Sequence, residues 1–221
     1  SILPDADEAS FGDTISNLYL DFINTTGLTI GKAGNTAAVS FDRAESIAGP
    51  ITVYGGNINV NQNIGSAGSG SAIQLIGSNT ITLAASKAIS SNNGNVSLVT
   101  KGDIFGNTGA SISSGTGNIL LAADSDATGA GAIGLTGTSL TATGGNITLG
   151  LASTFSVPGT ALTLTGVVND NSNGLTLNGP GSFIFSNTAN TIDTVMAVST
   201  LGGLTLNNSV ALTLGEMNAT G

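Results

Sequence analysis

Short apolar-polar-apolar phrases recur along the chain, each bounded by glycine, asparagine or serine. In Ile51-Thr52-Val53 and Ile147-Thr148-Leu149, for example, one polar residue separates two branched aliphatic residues. Alternation with a period of two places successive side chains on opposite faces of a β-strand. The phrases therefore predict short strands with one buried and one exposed face. Helices are not expected, because Ser, Thr, Asn and Gly fill every segment.

The phrases recur at a nearly constant interval, in three interleaved series. The first series of anchor residues is Leu28, Ile51, Ile73, Val96, Ile119, Ile147, Leu175 and Leu204. The second is Ile58, Ile81, Ile104, Ile133, Leu162 and Leu212, with a weaker member around Phe183 to Ile192. The third and faintest is Ile64, Ile89, Ile112 and Leu140. An internal repeat of this length, with three strands per unit, is typical of a solenoid.

Stacked units of this kind place Ile, Leu and Val in inward ladders and polar residues in outward ladders. On the first face the expected outward ladder is Thr52, Gln74, Ser97, Leu120, Thr148, Thr176 and Thr205. Gly-Asn pairs precede many anchors, and both residues tolerate the positive φ of a tight corner. A hairpin meander would also use such pairs, but the anchors keep one order in every unit. The chain is predicted to be all-β, a right-handed parallel β-helix (solenoid) with three short strands and roughly 22–29 residues per coil.

The repeats divide the chain into two parts. Residues 1–27 are interpreted as an N-terminal capping or connecting segment, and residues 28–221 as a β-helical array of about seven coils. The chain begins at Ser1 rather than Met and stops in mid-phrase at Gly221. We interpret both ends as cuts in a longer polypeptide, with the array truncated at its C-terminal end.

Composition removes several classes of function. The net charge of −9 repels phosphate backbones, so no nucleic acid is expected as a partner. Cysteine and histidine are absent, which removes disulfides, thiolate zinc sites, and the usual general base and metal ligand. No apolar run approaches the roughly 18–20 residues of a membrane helix, so membrane insertion is not expected. No cofactor is predicted.

Three phrases carry a resemblance to a known family: Gly117-Asn118-Ile119-Leu120-Leu121, Gly145-Asn146-Ile147-Thr148-Leu149 and Gly203-Leu204-Thr205-Leu206-Asn207. They resemble the repeats of filamentous-haemagglutinin-type adhesins, which are two-partner secretion exoproteins or autotransporter passengers. The resemblance covers residues 28–221, although each motif is short and degenerate. It implies a secreted shaft on the surface of a Gram-negative bacterium, exported through an outer-membrane transporter. It also implies a role in attachment or biofilm formation, with host or bacterial surface molecules or glycans bound by regions outside this chain.

Sharper alternatives stay open. A polysaccharide-cleaving β-helical enzyme needs clustered carboxylates with a basic residue or metal, yet no Lys or Arg follows Lys101 and the later acids are expected on different turns. Enzymatic activity is therefore not predicted. An ice-binding face would use the threonine ladder, which Gln74, Ser97 and Leu120 interrupt. Open strand edges favour a further alternative, a self-assembling extracellular filament or matrix protein.

Two sets of residues are the remaining candidates for chemistry. Ca²⁺ takes six to eight oxygen ligands, and the weak calcium candidates are Asp124, Asp126 and Asp170. Solvated loop aspartates are the plainer interpretation of these three residues. The aromatic residues are interpreted as core or corner fillers rather than ligand contacts: Tyr54, Phe105, Phe155, Phe183 and Phe185.

Overall fold

The chain forms a parallel β-solenoid. The computed structural model describes residues 26–126, 131, 133–145, 147–149, 161–164, 168–169, 175–177, 182–185, 188–197 and 203–217. These residues form 23 strands, numbered β1 to β23 along the chain, in three parallel sheets with no helix among them. In this described part there is consequently no helix suited to crossing a membrane. Most of the segment 1–27 and residue Asp170 lie outside the described residues.

Each sheet collects one strand from successive coils. Sheet A contains β1 (Leu28–Ile30), β4 (Ile51–Gly55), β7 (Ile73–Gly77), β10 (Val96–Thr100), β13 (Ile119–Ala122), β16 (Ile147–Leu149), β19 (Leu175–Leu177), β21 (Thr194–Ala197) and β23 (Thr213–Met217). Sheet B contains β2 (Val39–Phe41), β5 (Ile58–Val60), β8 (Ile81–Leu83), β11 (Ile104–Gly106), β14 (Ile133–Leu135), β17 (Ala161–Leu164), β20 (Ser182–Phe185) and β22 (Gly203–Leu206). Sheet C contains β3 (Glu45–Ile47), β6 (Ile64–Ser66), β9 (Ala88–Ser91), β12 (Ser111–Gly115), β15 (Ser139–Ala142) and β18 (Val168–Asn169).

The strand register confirms the predicted coil over the first six turns. Leu28 pairs with Ile51, Ile51 with Ile73, and the ladder continues through Val96, Ile119 and Ile147 to Leu175. Each anchor of this run therefore pairs with the next anchor of its own series, one coil later, as the anchor spacing predicts. The predicted three parallel strands per coil are confirmed, and the right-handed coiling stays a prediction.

The predicted sheet assignments of the last anchors, Leu204 and Leu212, are wrong. Leu204 pairs with Phe183 in sheet B, and Thr205 pairs with Ile184, so neither belongs to the first face. Sheet A instead continues from Leu175 to Val195 and then to Leu214, in steps shorter than any earlier step along this sheet. Leu212 precedes β23 and joins no described strand of sheet B. The physical reason is that the later coils are shorter, so an identical phrase falls on a different sheet.

The core is a stack of aliphatic ladders. Ile51, Ile73, Val96 and Ile119 are all fully buried in one column of sheet A. Burial of each such side group stabilises the fold by roughly 1.5–3 kcal/mol. Each coil supplies several, which explains how a protein with 4% aromatic residues encloses a continuous core.

The interior is not wholly aliphatic where sheet C turns back toward sheet A. Ser66, Ser91 and Ser114 form a buried inward column at this C–A corner. Their hydroxyls donate to the carbonyl oxygens of Gly49, Ser71 and Gly117, at 3.0, 2.8 and 2.6 Å. Buried polar groups are tolerated only when hydrogen-bonded. The serines thus satisfy corner carbonyls that face the core.

Asparagine side chains link neighbouring coils at the corners. The amide of Asn79 donates to Asn57 Oδ1 at 2.6 Å, and Asn107 donates to the carbonyl of Leu83 at 3.0 Å. Asn95 Oδ1 accepts the backbone N–H of Asn118 at 2.9 Å. The sequence pattern predicts asparagine only as a turn former. In the structure it also carries hydrogen bonds from coil to coil.

Candidate functional site

The calcium candidates do not form a cluster within the described residues, and the interpretation of Asp124 as a solvated loop aspartate is wrong because its side chain is buried. Asp124 is fully buried, with φ of 52°, and its backbone N–H donates to the carbonyl of Gly102 at 3.2 Å. Asp126 is exposed two residues later, and Asp170 lies outside the described residues. In the described part of the chain, no three Asp or Glu side chains come together in a way that could hold a metal ion. The three residues therefore stay weak calcium candidates, and the prediction remains that no metal is bound.

The acidic residues are less scattered than the sequence suggests. Asp124 and Asp126 occupy one turn, and Asp103 lies at the same corner in the preceding coil, beside the Gly102 carbonyl that accepts from Asp124. The expectation of one acid per turn is wrong for these residues. The reason is that the turn after sheet A recurs at nearly the same phase in each coil.

A surface depression lies at this corner between sheets A and B. It has a volume of about 240 Å³ and spans several coils; its lining is Gly34, Asn35, Thr36, Tyr54, Ile76, Gly77, Ser78, Lys101 and Ser125. We call it the A–B groove. Its volume falls below the roughly 300–1,000 Å³ of typical small-molecule sites. The groove is therefore a shallow contact surface rather than an enclosing pocket.

The loop over residues 31–38 forms one wall of the groove. The Asn35 amide donates to the carbonyl of Tyr54 at 2.8 Å, and its Oδ1 accepts the Ala37 N–H at 3.0 Å. Gly56 N–H donates to the carbonyl of Ala37 at 2.7 Å, which fixes the end of the loop on the second coil. Gly31 adopts a φ of 74°, which lets the chain leave β1 sharply.

Two residues of the groove, Tyr54 and Ile76, belong to an outward-facing apolar column that continues to Val99. Tyr54 pairs with Ile76 and Ile76 with Val99, and all three are half-buried. They lie three residues after their anchors, an odd offset that points outward from the core. The interpretation of Tyr54 as a filler misses this position. The alternation itself carries the signal, because Tyr54 is out of phase with the inward Ile51 and Val53.

The groove offers little reactive chemistry. Among the described residues that line it, Lys101 supplies the one charged side chain, and the other polar groups are hydroxyls and amides. General acid–base catalysis needs a positioned group that gains and loses a proton near the working pH. The same described lining holds no carboxylate to serve that role alongside Lys101. The geometry suits noncovalent surface contact.

Two predicted core aromatics are buried and one other aromatic is not. Phe183 and Phe185 are buried in sheet B, which confirms their prediction as core residues. Phe105 is 41% exposed and faces outward in β11, so its interpretation as a filler is wrong. Its ring lies over Gly134 of the next coil, where a Cβ would come within 3.2 Å of the ring. Phe155 lies outside the described residues.

The threonine ladder on the outer face of sheet A is confirmed in part. Register aligns Thr52, Gln74, Ser97, Leu120, Thr148 and Thr176 in that order. The position after Thr176 is occupied by Met196, which is 36% exposed, and not by Thr205. Apolar residues therefore interrupt the ladder twice, which weakens the ice-binding alternative.

Comparisons with known proteins return no relative. No protein-family model matches the chain, and neither a curated protein nor a solved structure matches it. The fold is therefore established by the structure itself, as a parallel β-solenoid with about six complete three-stranded turns.

Proposed function

We propose that this chain is a non-enzymatic shaft segment of a secreted fibrous adhesin on a Gram-negative cell surface. The proposal is supported by the resemblance of its repeats and by one structural observation. That observation is the parallel stacking of coils, in which each described strand pairs only with its counterparts in the coils before and after. Such a quasi-linear array is suited to spacing, because each added coil extends the molecule by about 4.8 Å.

The surface of the described residues agrees with a spacing role. The A–B groove is shallow and poor in reactive groups. Attachment is then assigned to other regions of the parent polypeptide, which contact surface molecules or glycans. The shaft would cross the outer membrane through a transporter and fold coil by coil, because its contacts are between neighbouring coils.

Removing one whole coil tests the proposal. Ala72 and Asn95 occupy equivalent positions, since their carbonyls accept from Ile51 and Ile73 at 2.9 Å in successive coils. Deleting residues 73–95 joins these positions in register, so the shortened protein should fold and lose about 4.8 Å of length. We expect cells that display it to adhere normally. Deleting residues 73–84 is the control, because removing half a coil should disrupt the stack.

Two measurements decide the result. Circular dichroism and small-angle scattering establish folding and length, and a cell-attachment assay reads function. If the whole-coil deletion is folded and displayed but no longer attaches, the deleted coil itself binds the target and the spacer role is wrong.

A second function, self-assembly into an extracellular filament, is favoured by one observation. Exposed apolar side chains gather around β23: Val210 is 44% exposed, Leu212 40% and Leu214 59%. Exposed apolar patches next to strand edges promote association. Leu214→Glu should abolish concentration-dependent association in sedimentation velocity, while Thr205→Glu, on the exposed outer face of β22, should leave it unchanged. A monomeric wild-type protein at all concentrations would remove this alternative.

A further inference from the structure

Asn93-Gly94 is a dipeptide with inherent chemical reactivity, and the fold places it at a corner where that reactivity matters. In an Asn-Gly pair the glycine nitrogen can attack the asparagine Cγ, because glycine has no Cβ to hinder the approach. A bond forms between the glycine nitrogen and Cγ, the bond between Cγ and Nδ2 breaks, and ammonia leaves with the displaced proton. Water then opens the succinimide ring to aspartate or isoaspartate, and the second product adds a methylene group to the backbone.

The folded corner holds the attacking nitrogen. Gly94 N–H donates to Ser91 Oγ at 2.8 Å, and the Ser91 hydroxyl donates in turn to the carbonyl of Ser71 at 2.8 Å. Ser91 and Gly94 are both buried. Loss of the acceptor of a buried amide N–H raises the free energy of the folded state. Deprotonation of the Gly94 nitrogen and its attack on Asn93 are therefore disfavoured while the corner is closed.

The folded corner also holds the group under attack. The backbone N–H of Thr116, in the next coil, donates to Asn93 Oδ1 at 3.1 Å. Asn93 Nδ2 donates to Asn92 Oδ1 at 3.2 Å. Asn93 itself adopts a φ of 67°, a conformation that asparagine tolerates. Both ends of its amide are therefore held by hydrogen bonds, one of them to the neighbouring coil.

The corner has no room for a longer backbone. A Cβ on Gly94 would overlap the carbonyl of Ser71 in the preceding coil, and a Cβ on Gly117 would overlap the carbonyl of Gly94. Gly94 is thus packed between backbone groups on both sides. An extra methylene in the backbone at position 93 would displace Gly94 against these backbone groups. No flexible side chain lies there that could move aside to make room.

We propose that Asn93 is a deamidation site that the coil stack keeps closed, and that isoaspartate at this position keeps the corner open. Loss of ammonia prevents a return to asparagine, and the lengthened backbone does not fit the closed corner. Reaction requires the corner between β9 and β10 to open. Each molecule that opens and reacts to isoaspartate is then left with a permanently loosened junction between two coils. The amount of isoaspartate at position 93 therefore reports how often this corner has opened under mechanical or thermal stress. This holds whether the chain is a shaft or a self-assembling filament.

Peptide mass spectrometry tests the closed state. The full chain is incubated at mildly alkaline pH, folded or in denaturant, and aspartate and isoaspartate at position 93 are quantified over time. We expect the folded chain to react at least about tenfold more slowly than the denatured chain. Equal rates would overturn the proposal, because the fold would then give no protection.

Serine variants test the mechanism of protection. Ser91→Ala removes the acceptor of Gly94 N–H and should accelerate deamidation of the folded protein about 5- to 30-fold. Ser66→Ala is the matched control, since Ser66 lies one coil earlier in the same buried column, with its hydroxyl on the carbonyl of Gly49. It should leave the rate at Asn93 unchanged. A Ser91→Ala rate equal to that of Ser66→Ala would overturn the assignment of Ser91.

Hydrogen exchange keeps the proposal testable if Ser91→Ala does not fold. In wild-type protein the deamidation rate should rise with denaturant in step with exchange of the Gly94 amide; reaction while that amide stays protected would contradict the closed site.

The isoaspartate fraction should show faster exchange at Thr116 than Asn93→Asp, which keeps the acceptor oxygen and the backbone length. Equal protection at Thr116 in the two would mean that the lengthened backbone fits the closed corner, which would overturn this part of the proposal.

Discussion

The solenoid holds its coils together differently in its two halves. From β1 to β18 every coil contributes one strand to each of three sheets. After β18 the described residues add strands to sheets A and B but none to sheet C. The spacing along sheet A shortens at the same point, because the step from Leu175 to Val195 spans fewer residues than the step from Ile147 to Leu175. The coils after β18 are therefore shorter along sheet A, and their described strands pair in two sheets.

Among the described residues after β18, asparagine side chains link neighbouring coils. Asn208 Oδ1 accepts the backbone N–H of Ile192 at 3.0 Å, and its Nδ2 donates to the Ile192 carbonyl. Asn190, which is fully buried, donates to the carbonyl of Asn207 at 3.0 Å. A side-chain amide carries the same donor and acceptor as a peptide group. These side-chain amides thus link the two coils beside the backbone bond from Ser209 N–H to the Asn190 carbonyl at 2.8 Å.

The two halves also differ in how completely they bury the same ladder. Ile73 and Val195 of sheet A are both fully buried, whereas Leu214, next in register after Val195, is 59% exposed. Val195 and Leu214 both occupy inward positions of the same ladder, so the register alone does not determine whether a side chain is buried. An inward register stabilises only where a neighbouring coil covers it.

The largest expected effect comes from truncating the ladder in the three-stranded half. Ile73→Ala leaves a cavity in a fully buried column and should lower the free energy of unfolding by about 2–5 kcal/mol. Leu214→Ala, in the same column, should change it by less than about 0.5 kcal/mol. Urea denaturation of both variants measures the difference. Similar losses would mean that Leu214 is covered in solution, which would favour self-association.

A smaller effect is expected from filling the corners. A Cβ on Gly117 would overlap the backbone carbonyl of Gly94, whereas a Cβ on Gly215 would meet the flexible side chain of Met196 at 2.6 Å. Backbone cannot move aside as a methionine can. Gly117→Ala should therefore cost about 1–3 kcal/mol, and Gly215→Ala should lie within about 0.5 kcal/mol of wild type. Equal costs in thermal denaturation would show that the corner of the three-stranded half adjusts more easily than its geometry indicates.

The strands and their stacking could be predicted from the sequence because they depend on alternation and period alone. The alternation of side chains along a strand places Ile51 and Val53 inward and Thr52 outward. The spacing of the anchors then determines which strands pair. The prediction fails after Leu175, because Gly203-Leu204-Thr205-Leu206 has the same pattern whether it belongs to sheet A or sheet B. Only the length of the preceding coil distinguishes the two, and a change in that length is not visible in the phrase.

The surface was harder to predict for a different reason. The A–B groove depends on a loop from one coil folding over the corner of the next, as Asn35 does over Tyr54. Spacing carries no information about where a loop lies. The outward direction of Tyr54 and Phe105, in contrast, follows from their odd offsets from Ile51 and Ile104, and strict use of the alternation would have identified both.

The smallest expected effect is also the sharpest test of how the C-terminal half is held. Asn208→Ala removes the acceptor of the Ile192 amide and a donor to the Val210 carbonyl, and should cost about 1–2 kcal/mol locally. Hydrogen exchange should accelerate at Ile192 while the three-stranded half keeps its protection, because contacts are between neighbouring coils. Asn79→Ala, which removes an exposed side-chain bond to Asn57, is the control and should change exchange little. Unchanged exchange at Ile192 in Asn208→Ala would mean that sheets A and B alone hold these coils. The asparagine side chains would then be accessory to strand pairing there.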